Sequence, residues 1–221
     1  MSAPVERRIE TPRGEARLVT HAAADPAATV LLSHGAGGGI DARDLAALAA
    51  ALPGQGFTVV LLEQPWRLAG RKVATAPPTL DEALLAAVAA LEETGPLVLG
   101  GRSAGARSAA RCAAQVGAAG CLALSFPLHP PGKPEKSRLS ELTGAGVPTL
   151  VVQGENDALG RPEEFPPDTE LSVVPGADHG LKVPARAGIS QADAMEIVVE
   201  STLEWLVREV VGNVAGNGAP E

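Results

Sequence analysis

The segment on which the fold of this chain depends reads Leu97-Val98-Leu99-Gly100-Gly101-Arg102-Ser103-Ala104-Gly105-Ala106-Arg107. Its apolar start predicts a buried strand, and the alanine-rich residues that follow predict a helix. Between them lies a Gly-x-Ser-x-Gly pentapeptide centred on Ser103. A serine on a sharp strand-to-helix turn is typical of a nucleophile elbow, where strand and helix nearly collide and the flanking residues must be small. The other interpretation is an ordinary glycine-rich turn.

Length and composition favour one globular domain over residues 1–211, with residues 212–221 as a flexible C-terminal tail. The chain has 221 residues, of which 45% are hydrophobic and only 2% aromatic. Leucine, valine and alanine must therefore build the core. Two cysteines, Cys112 and Cys121, are too few for a disulfide framework and are expected to be buried thiols.

The charge pattern argues against nucleic acid and anionic membranes as partners. The formal net charge is −8 and there is no dense basic run. No apolar run approaches the ~18 residues of a membrane span. The N-terminal residues lack the apolar segment of a secretory signal, so the expected location is cytoplasmic.

Apolar strands alternate with helices along the chain. This order predicts an α/β fold, a three-layer sandwich with a mostly parallel sheet and helices on both faces. An edge hairpin is expected over Arg7–Thr20, and Thr79 with Glu82 is expected to form a helix-starting capping box. Ser190 with Asp193 is expected to cap the closing helix. The predicted strands are Thr29–Leu32, Phe57–Leu62, Leu97–Leu99, Gly120–Phe126, Pro148–Gln153 and Glu170–Val174.

A glycine-rich loop, Ser33–Gly39, follows the first buried strand. It lacks the Gly-Lys-Ser/Thr ending of a phosphate-binding loop. Its His-Gly-Ala-Gly-Gly sequence favours a loop that supplies one N–H to an oxyanion hole, with a purely structural turn as the alternative. His34 is expected to fix the loop by hydrogen bonds rather than to carry protons.

Three loops at strand ends offer the groups that an activated serine needs. Ser103 requires a base within hydrogen-bond reach, and the base requires a carboxylate to hold its tautomer. Asp157 and His179 follow in the order serine, acid, histidine, each after a predicted strand. Glu155 is the competing acid, and Asp178 is disfavoured because adjacent side chains in an extended loop diverge.

Other residues are weaker candidates for the site. Trp66, at a strand end, and His129, in a proline-rich connection, are predicted to contact substrate, although packing roles are the alternative. Arg102 and Arg107 flank the elbow; they either favour an acidic acyl group or form salt bridges. No metal or cofactor is expected.

The chain resembles the α/β-hydrolase superfamily from about residue 7 to residue 211. Ser33–Gly38, Gly100–Arg107 and Pro127–Pro134 are similar to a subgroup related to dienelactone-hydrolase-like proteins, which includes a subunit of a eukaryotic histone-acetylation complex. The resemblance implies a triad of Ser103, Asp157 and His179. It also implies an oxyanion hole formed by the N–H groups of Ala36 and Ala104.

Two departures from that resemblance limit the inference. Dienelactone hydrolases use cysteine where this chain has Ser103, so their substrate does not carry over. No long insertion is present that could form a cap domain, which disfavours lipase activity on long chains. The sequence thus predicts a serine hydrolase acting on a small ester or thioester, its partner being that small-molecule substrate. A non-catalytic interaction module and an amide or peptide hydrolase are the alternatives, and the oligomeric state stays open.

Overall fold

The structure is a computed structural model that describes residues 3–72, 74, 76–92 and 95–212. These residues form one eight-stranded sheet in the order β1-β2-β4-β3-β5-β6-β7-β8. Strand β2 runs antiparallel to both of its neighbours, and every pairing from β4 to β8 is parallel. The strands are β1 (Val5–Thr11), β2 (Gly14–His21), β3 (Ala28–Ser33), β4 (Phe57–Glu63), β5 (Leu97–Arg102), β6 (Gly120–Leu124), β7 (Thr149–Gly154) and β8 (Glu170–Val174).

Helices cover both faces of the sheet, as the α/β prediction required. The helices are α1 (Arg43–Ala51), α2 (Pro65–Leu68), α3 (Pro77–Ala89), α4 (Ala104–Cys112), α5 (Leu139–Thr143) and α6 (Gln191–Trp205), which continues in π-helical turns over Leu206–Val211. One apolar cluster joins the sheet to α1 and α6, and a second joins it to α3, α4 and α5. These residues therefore form a three-layer sandwich, with no cap domain between the described strands. The predicted flexible tail falls almost wholly on residues 213–221, outside the described residues.

The core is built mainly from aliphatic side chains, with few large ones. All six residues of β3 are buried, and so are all five of β6. Trp205 is the largest fully buried side chain, and it packs over β6 at Gly120. A Cβ atom on Gly120 would lie only 2.7 Å from the Trp205 ring. The small residue in the strand therefore makes room for the largest residue in the core.

Local signals predicted some element ends and missed others. Ser190 caps α6 as expected: its hydroxyl accepts from the Asp193 N–H, and the Asp193 carboxylate accepts from the Ser190 N–H. The prediction of a capping box at Thr79 was wrong. Helix α3 begins two residues earlier, at Pro77, because two successive prolines preset its first turn. The Thr79 hydroxyl donates to the Ala76 carbonyl instead.

Strand β6 ends at Leu124, two residues before its predicted end at Phe126. The next residue, Ser125, has a φ of +47° and leaves the extended conformation. Cys112 and Cys121 are buried and unpaired, as expected. Burial raises the pKa of the Cys112 thiol to about 11 and that of Cys121 to about 12. No helix in the described part of the chain is long and apolar enough to cross a membrane.

Candidate active site

Ser103 lies between the last residue of β5 and the first residue of α4. Its backbone has φ +54° and ψ −110°, a conformation that L-residues rarely adopt. Backbone hydrogen bonds hold the turn on both sides: the Ser103 N–H donates to the Leu124 carbonyl, and the Arg107 N–H donates to the Ser103 carbonyl. The strained turn presents the serine side chain at the carboxyl end of the sheet.

The two glycines of the pentapeptide are required by a close backbone approach. A Cβ atom on Gly105 would lie 2.2 Å from the carbonyl oxygen of Ser33, and one on Gly101 would lie 2.4 Å from the same atom. Contacts this short are not possible for real Cβ atoms. The spacing of Gly-x-Ser-x-Gly therefore reflects the approach of strand β3 to the elbow.

The structure brings Ser103, His179 and Asp157 into one hydrogen-bonded chain. His179 Nε2 lies 2.9 Å from Ser103 Oγ, and His179 Nδ1 lies 2.7 Å from Asp157 Oδ2. The carboxylate can only accept, so Nδ1 carries the proton and Nε2 is left to accept from the serine hydroxyl. The Asp157 side chain is fully buried, whereas that of His179 is 26% exposed. The imidazole is thus accessible, and the carboxylate is shielded from water.

Asp157 is held by two donors besides the imidazole. The Leu159 N–H donates to Oδ1 at 2.8 Å, and Gln153 Nε2 donates to Oδ2 at 2.8 Å. The Gln153 amide also lies 2.7 Å from the Gly160 carbonyl, which closes the loop on itself. Sequence reasoning missed Gln153. Its signal was a polar residue near the end of an otherwise apolar strand.

The two competing acids have other partners. Glu155 is exposed, and its carboxylate accepts from the Gly176 N–H at 2.6 Å. Asp178 accepts from the backbone N–H groups of Gly180 and Lys182, at 2.7 Å and 3.0 Å. Both carboxylates shape the loops around the site, and Asp157 is the one in contact with the imidazole.

The glycine-rich loop passes directly over the elbow. A Cβ atom on Gly35 would lie 3.3 Å from the Cβ of Ser103. Ala36 follows Gly35 on this loop, and Ala104 is the first residue of α4, where backbone N–H groups have no partner within the helix. Both residues thus lie next to the serine, and their role as oxyanion donors stays a prediction.

His34 fixes the loop as the sequence predicted. It is buried, its Nδ1 donates to the Gly35 carbonyl, and its Nε2 accepts from the Gln64 N–H. Its ring packs edge-on against Trp66, with centroids 5.4 Å apart. Burial lowers the pKa of the His34 imidazole. His34 is therefore held as the neutral tautomer.

The two residues predicted to contact substrate have partners of their own. Trp66 lines a cavity of about 330 Å³ together with Arg13, Gln64 and Arg71. His129 is 8% exposed, and its ring nitrogens lie 3.0 Å from the Pro130 carbonyl and 3.1 Å from Glu164. Neither the lining of that cavity nor these contacts of His129 include Ser103 or His179, and contact with substrate stays a prediction for each.

Both arginines that flank the elbow form an expected salt bridge. Arg102 pairs with Asp44. Arg107 pairs with Glu141. It binds both carboxylate oxygens of Glu141, at 2.7 Å and 2.6 Å. Arg102 makes a different set of contacts, including one with the His179 carbonyl. Within the described residues, no group of three or more His, Cys, Asp or Glu side chains is placed to hold a metal ion.

Comparison with known families identifies the class of protein. The model of an alpha/beta hydrolase domain matches residues 26–207, which is most of the chain. The chain belongs to the α/β-hydrolase family. A comparison with curated proteins finds no match.

Solved structures show the same fold at low sequence identity. A serine hydrolase without a lid from Xanthomonas campestris is 19% identical, with a TM-score of 0.68 over 93% of this chain and 96% of that one. Dienelactone hydrolase from Anabaena variabilis is 20% identical, with a TM-score of 0.67 over 94% and 99%. Est1E from Butyrivibrio proteoclasticus, with ferulic acid bound, is 17% identical, with a TM-score of 0.68 over 91% and 99%.

The contact between Ser33 and the elbow predicts the effect of Gly105→Ala. The added methyl group would collide with backbone atoms that cannot rotate away, so we expect the free energy of unfolding to fall by about 3 kcal/mol. Urea unfolding followed by circular dichroism measures this change. Gly54→Ala is the matched control, because a Cβ there meets nothing within 4 Å; its effect should stay below about 1 kcal/mol. Equal effects of the two substitutions would show that the Ser33 carbonyl does not exclude a side chain at residue 105.

The buried, neutral state of His34 predicts a component of the pH dependence of stability. Its pKa is lowered in the folded protein, so on acidification the unfolded chain takes up a proton first, near pH 6.5. The free energy of unfolding should therefore fall between about pH 7.5 and pH 5. In His34→Gln this fall should be smaller, as measured by urea unfolding at the two pH values. A fall as large as in the wild type would show that His34 does not contribute.

Proposed function

We propose that the protein is a serine hydrolase that cleaves a small carboxylic ester or thioester through an acyl-enzyme. The observation that carries the proposal is the hydrogen-bonded chain from Ser103 Oγ through the His179 imidazole to the Asp157 carboxylate. A serine hydroxyl is a poor nucleophile near neutral pH unless a base takes its proton. In this hydrogen-bonded chain the His179 imidazole would be that base, in the tautomer whose Nε2 can accept the proton.

The reaction then runs in two acyl transfers. As Ser103 Oγ bonds to the acyl carbon, its proton passes to His179 Nε2 and the carbonyl electron pair moves onto oxygen. The N–H groups of Ala36 and Ala104 would bind that oxyanion, and the Asp157 carboxylate would stabilise the imidazolium. The tetrahedral intermediate expels the alcohol or thiol, which takes the proton from His179. Water repeats the sequence and releases the acid, so no cofactor is consumed.

We propose small substrates, because a long acyl chain would find no cap to enclose it. The described chain carries no cap domain between its strands, in keeping with the lid-less hydrolase from Xanthomonas campestris. Est1E, another protein of this fold, binds ferulic acid, a compact carboxylic acid. By analogy we propose an ester or thioester of a compact acid, acted on in the cytoplasm.

Two other functions compete with this one. The resemblance to a subunit of a histone-acetylation complex suggests an interaction module on a hydrolase fold, since fold alone does not fix function. An amide or peptide hydrolase would use the same three residues. The buried and fully hydrogen-bonded Asp157 favours catalysis over the interaction module, because a scaffold does not need a carboxylate aligned with an imidazole and a hydroxyl.

Turnover of p-nitrophenyl acetate and of a short acyl thioester tests the proposal. Ser103→Ala should lower kcat by about 10⁶-fold, since the nucleophile is lost. Asp157→Asn should lower it by about 10⁴-fold, because the amide favours the wrong imidazole tautomer.

Glu155→Gln is the matched control for the acid. Its carboxylate lies two residues from Asp157 but contacts the Gly176 N–H instead, so kcat should stay within about threefold of the wild type. A loss in Glu155→Gln as large as that in Asp157→Asn would contradict the assignment of the acid. If the wild-type protein hydrolysed neither the ester nor the thioester, the proposed function would be overturned.

A further inference from the structure

We propose that Arg102 is a positioning residue that fixes the backbone of His179 relative to Ser103, with the buried carboxylate of Asp44 beside its guanidinium. This inference rests on the proposed function, because it assigns the residue through its effect on the catalytic base. Arg102 is the last residue of β5, immediately before the serine.

The side chain of Arg102 joins three segments of the site. Its Nη2 donates to the backbone carbonyl of His179 at 2.9 Å, and its Nε lies 3.2 Å from Asp44 Oδ2. A Cβ atom on Gly35 would lie 3.4 Å from its Nη1, so the guanidinium also borders the glycine-rich loop. The loop that carries His179 (residues 175–190, the histidine loop), helix α1 and the glycine-rich loop therefore all lie against Arg102, the residue before Ser103.

Arg107, the other arginine beside the elbow, is a useful comparison because its hydrogen bonds go to a single carboxylate. Its side chain is 16% exposed, the same as that of Arg102. Its Nε and Nη2 hold the two oxygens of Glu141, which is the stronger, bidentate arrangement. Arg102 divides the same two nitrogens between a carboxylate and a backbone carbonyl. Arg102 therefore does not pair with both oxygens of one carboxylate, and one of its nitrogens contacts the histidine loop instead.

Of the two contacts of Arg102, the one with Asp44 is weaker than the one with the His179 carbonyl. The Asp44 side chain is fully buried, and within the described residues its Oδ2 has no hydrogen-bond partner of good geometry. Burial raises the pKa of the Asp44 carboxyl, and the charge of Arg102 opposes that rise. Asp44 thus lies beside the guanidinium without a good hydrogen bond to it, and the shorter contact of Arg102 goes to the His179 carbonyl.

Positioning matters here because the histidine loop is strained. Leu181, two residues after His179, is buried with a φ of +49°, and its carbonyl accepts from the Gln191 amide. Such a conformation persists only where surrounding contacts enforce it. Besides the His179–Ser103 hydrogen bond itself, the contact of Arg102 with the His179 carbonyl links this loop to the chain segment of the nucleophile. Its loss should let the imidazole drift from Ser103 Oγ, and a displacement of about 1 Å can cost about 10²-fold in rate.

Ester turnover and thermal unfolding of Arg102→Lys, Arg102→Met and Arg107→Met test the proposal. Lysine keeps a positive charge near Asp44 but has no planar edge to serve both partners. We expect kcat to fall about tenfold in Arg102→Lys and about a hundredfold in Arg102→Met, with KM within about threefold of the wild type. The thermal midpoint of Arg102→Lys should stay near that of the wild type. Arg107→Met, which removes the ion pair of an arginine with the same side-chain exposure, should retain kcat.

The outcomes separate this inference from the proposed function. If the wild type hydrolyses esters and Arg102→Lys does so equally well, Arg102 does not position the base. An equal loss of kcat in Arg107→Met would assign the effect to ion-pair loss in general, which also overturns the inference. Arg102→Lys decides the matter if Arg102→Met does not fold. A wild type without turnover refutes the proposed function itself, and this inference with it.

Discussion

The close approach of the Ser33 carbonyl to Gly101 and Gly105 is the constraint on which the site depends. Strands β3 and β5 are parallel neighbours, and α4 starts so near the end of β3 that neither glycine could carry a side chain. The chain between the glycines has to turn within one residue. Ser103 therefore adopts a positive φ, and the loop that continues β3 is drawn over the serine. The position of the hydroxyl and that of the neighbouring N–H groups have one common cause.

The parallel sheet supplies the partners of that serine. Strands β5, β7 and β8 all point the same way, so the loops after them meet at one edge. Each loop carries one member of the hydrogen-bonded chain: Ser103, Asp157 and His179. Around them the core changes character. Below the carboxyl ends of the strands the core consists of leucine, valine and alanine, whereas near those ends the polar side chains of Gln153 and Asp44 are buried. Such groups are costly to bury and give the loops a single arrangement.

Much of this arrangement was predictable from the sequence, because it follows from chain order. The α/β fold follows from alternating apolar strands and helices, and the meeting of Ser103, Asp157 and His179 follows from their places after parallel strands. The contacts of Arg102 and Gln153 were not predictable in the same way. They join residues far apart in the chain through side-chain geometry, which neither spacing nor periodicity encodes. Thr79 failed as a cap for a local reason: two prolines before it start the helix sooner.

The central claim is that Ser103 is an activated nucleophile, and covalent labelling tests it most directly. The wild-type protein would be treated with a fluorophosphonate probe near neutral pH, and the adduct located by peptide mass spectrometry. We expect one phosphonylated residue, Ser103, with labelling abolished in both Ser103→Ala and His179→Ala. A wild-type protein that stays unlabelled, or an adduct on another residue that persists in Ser103→Ala, would contradict it.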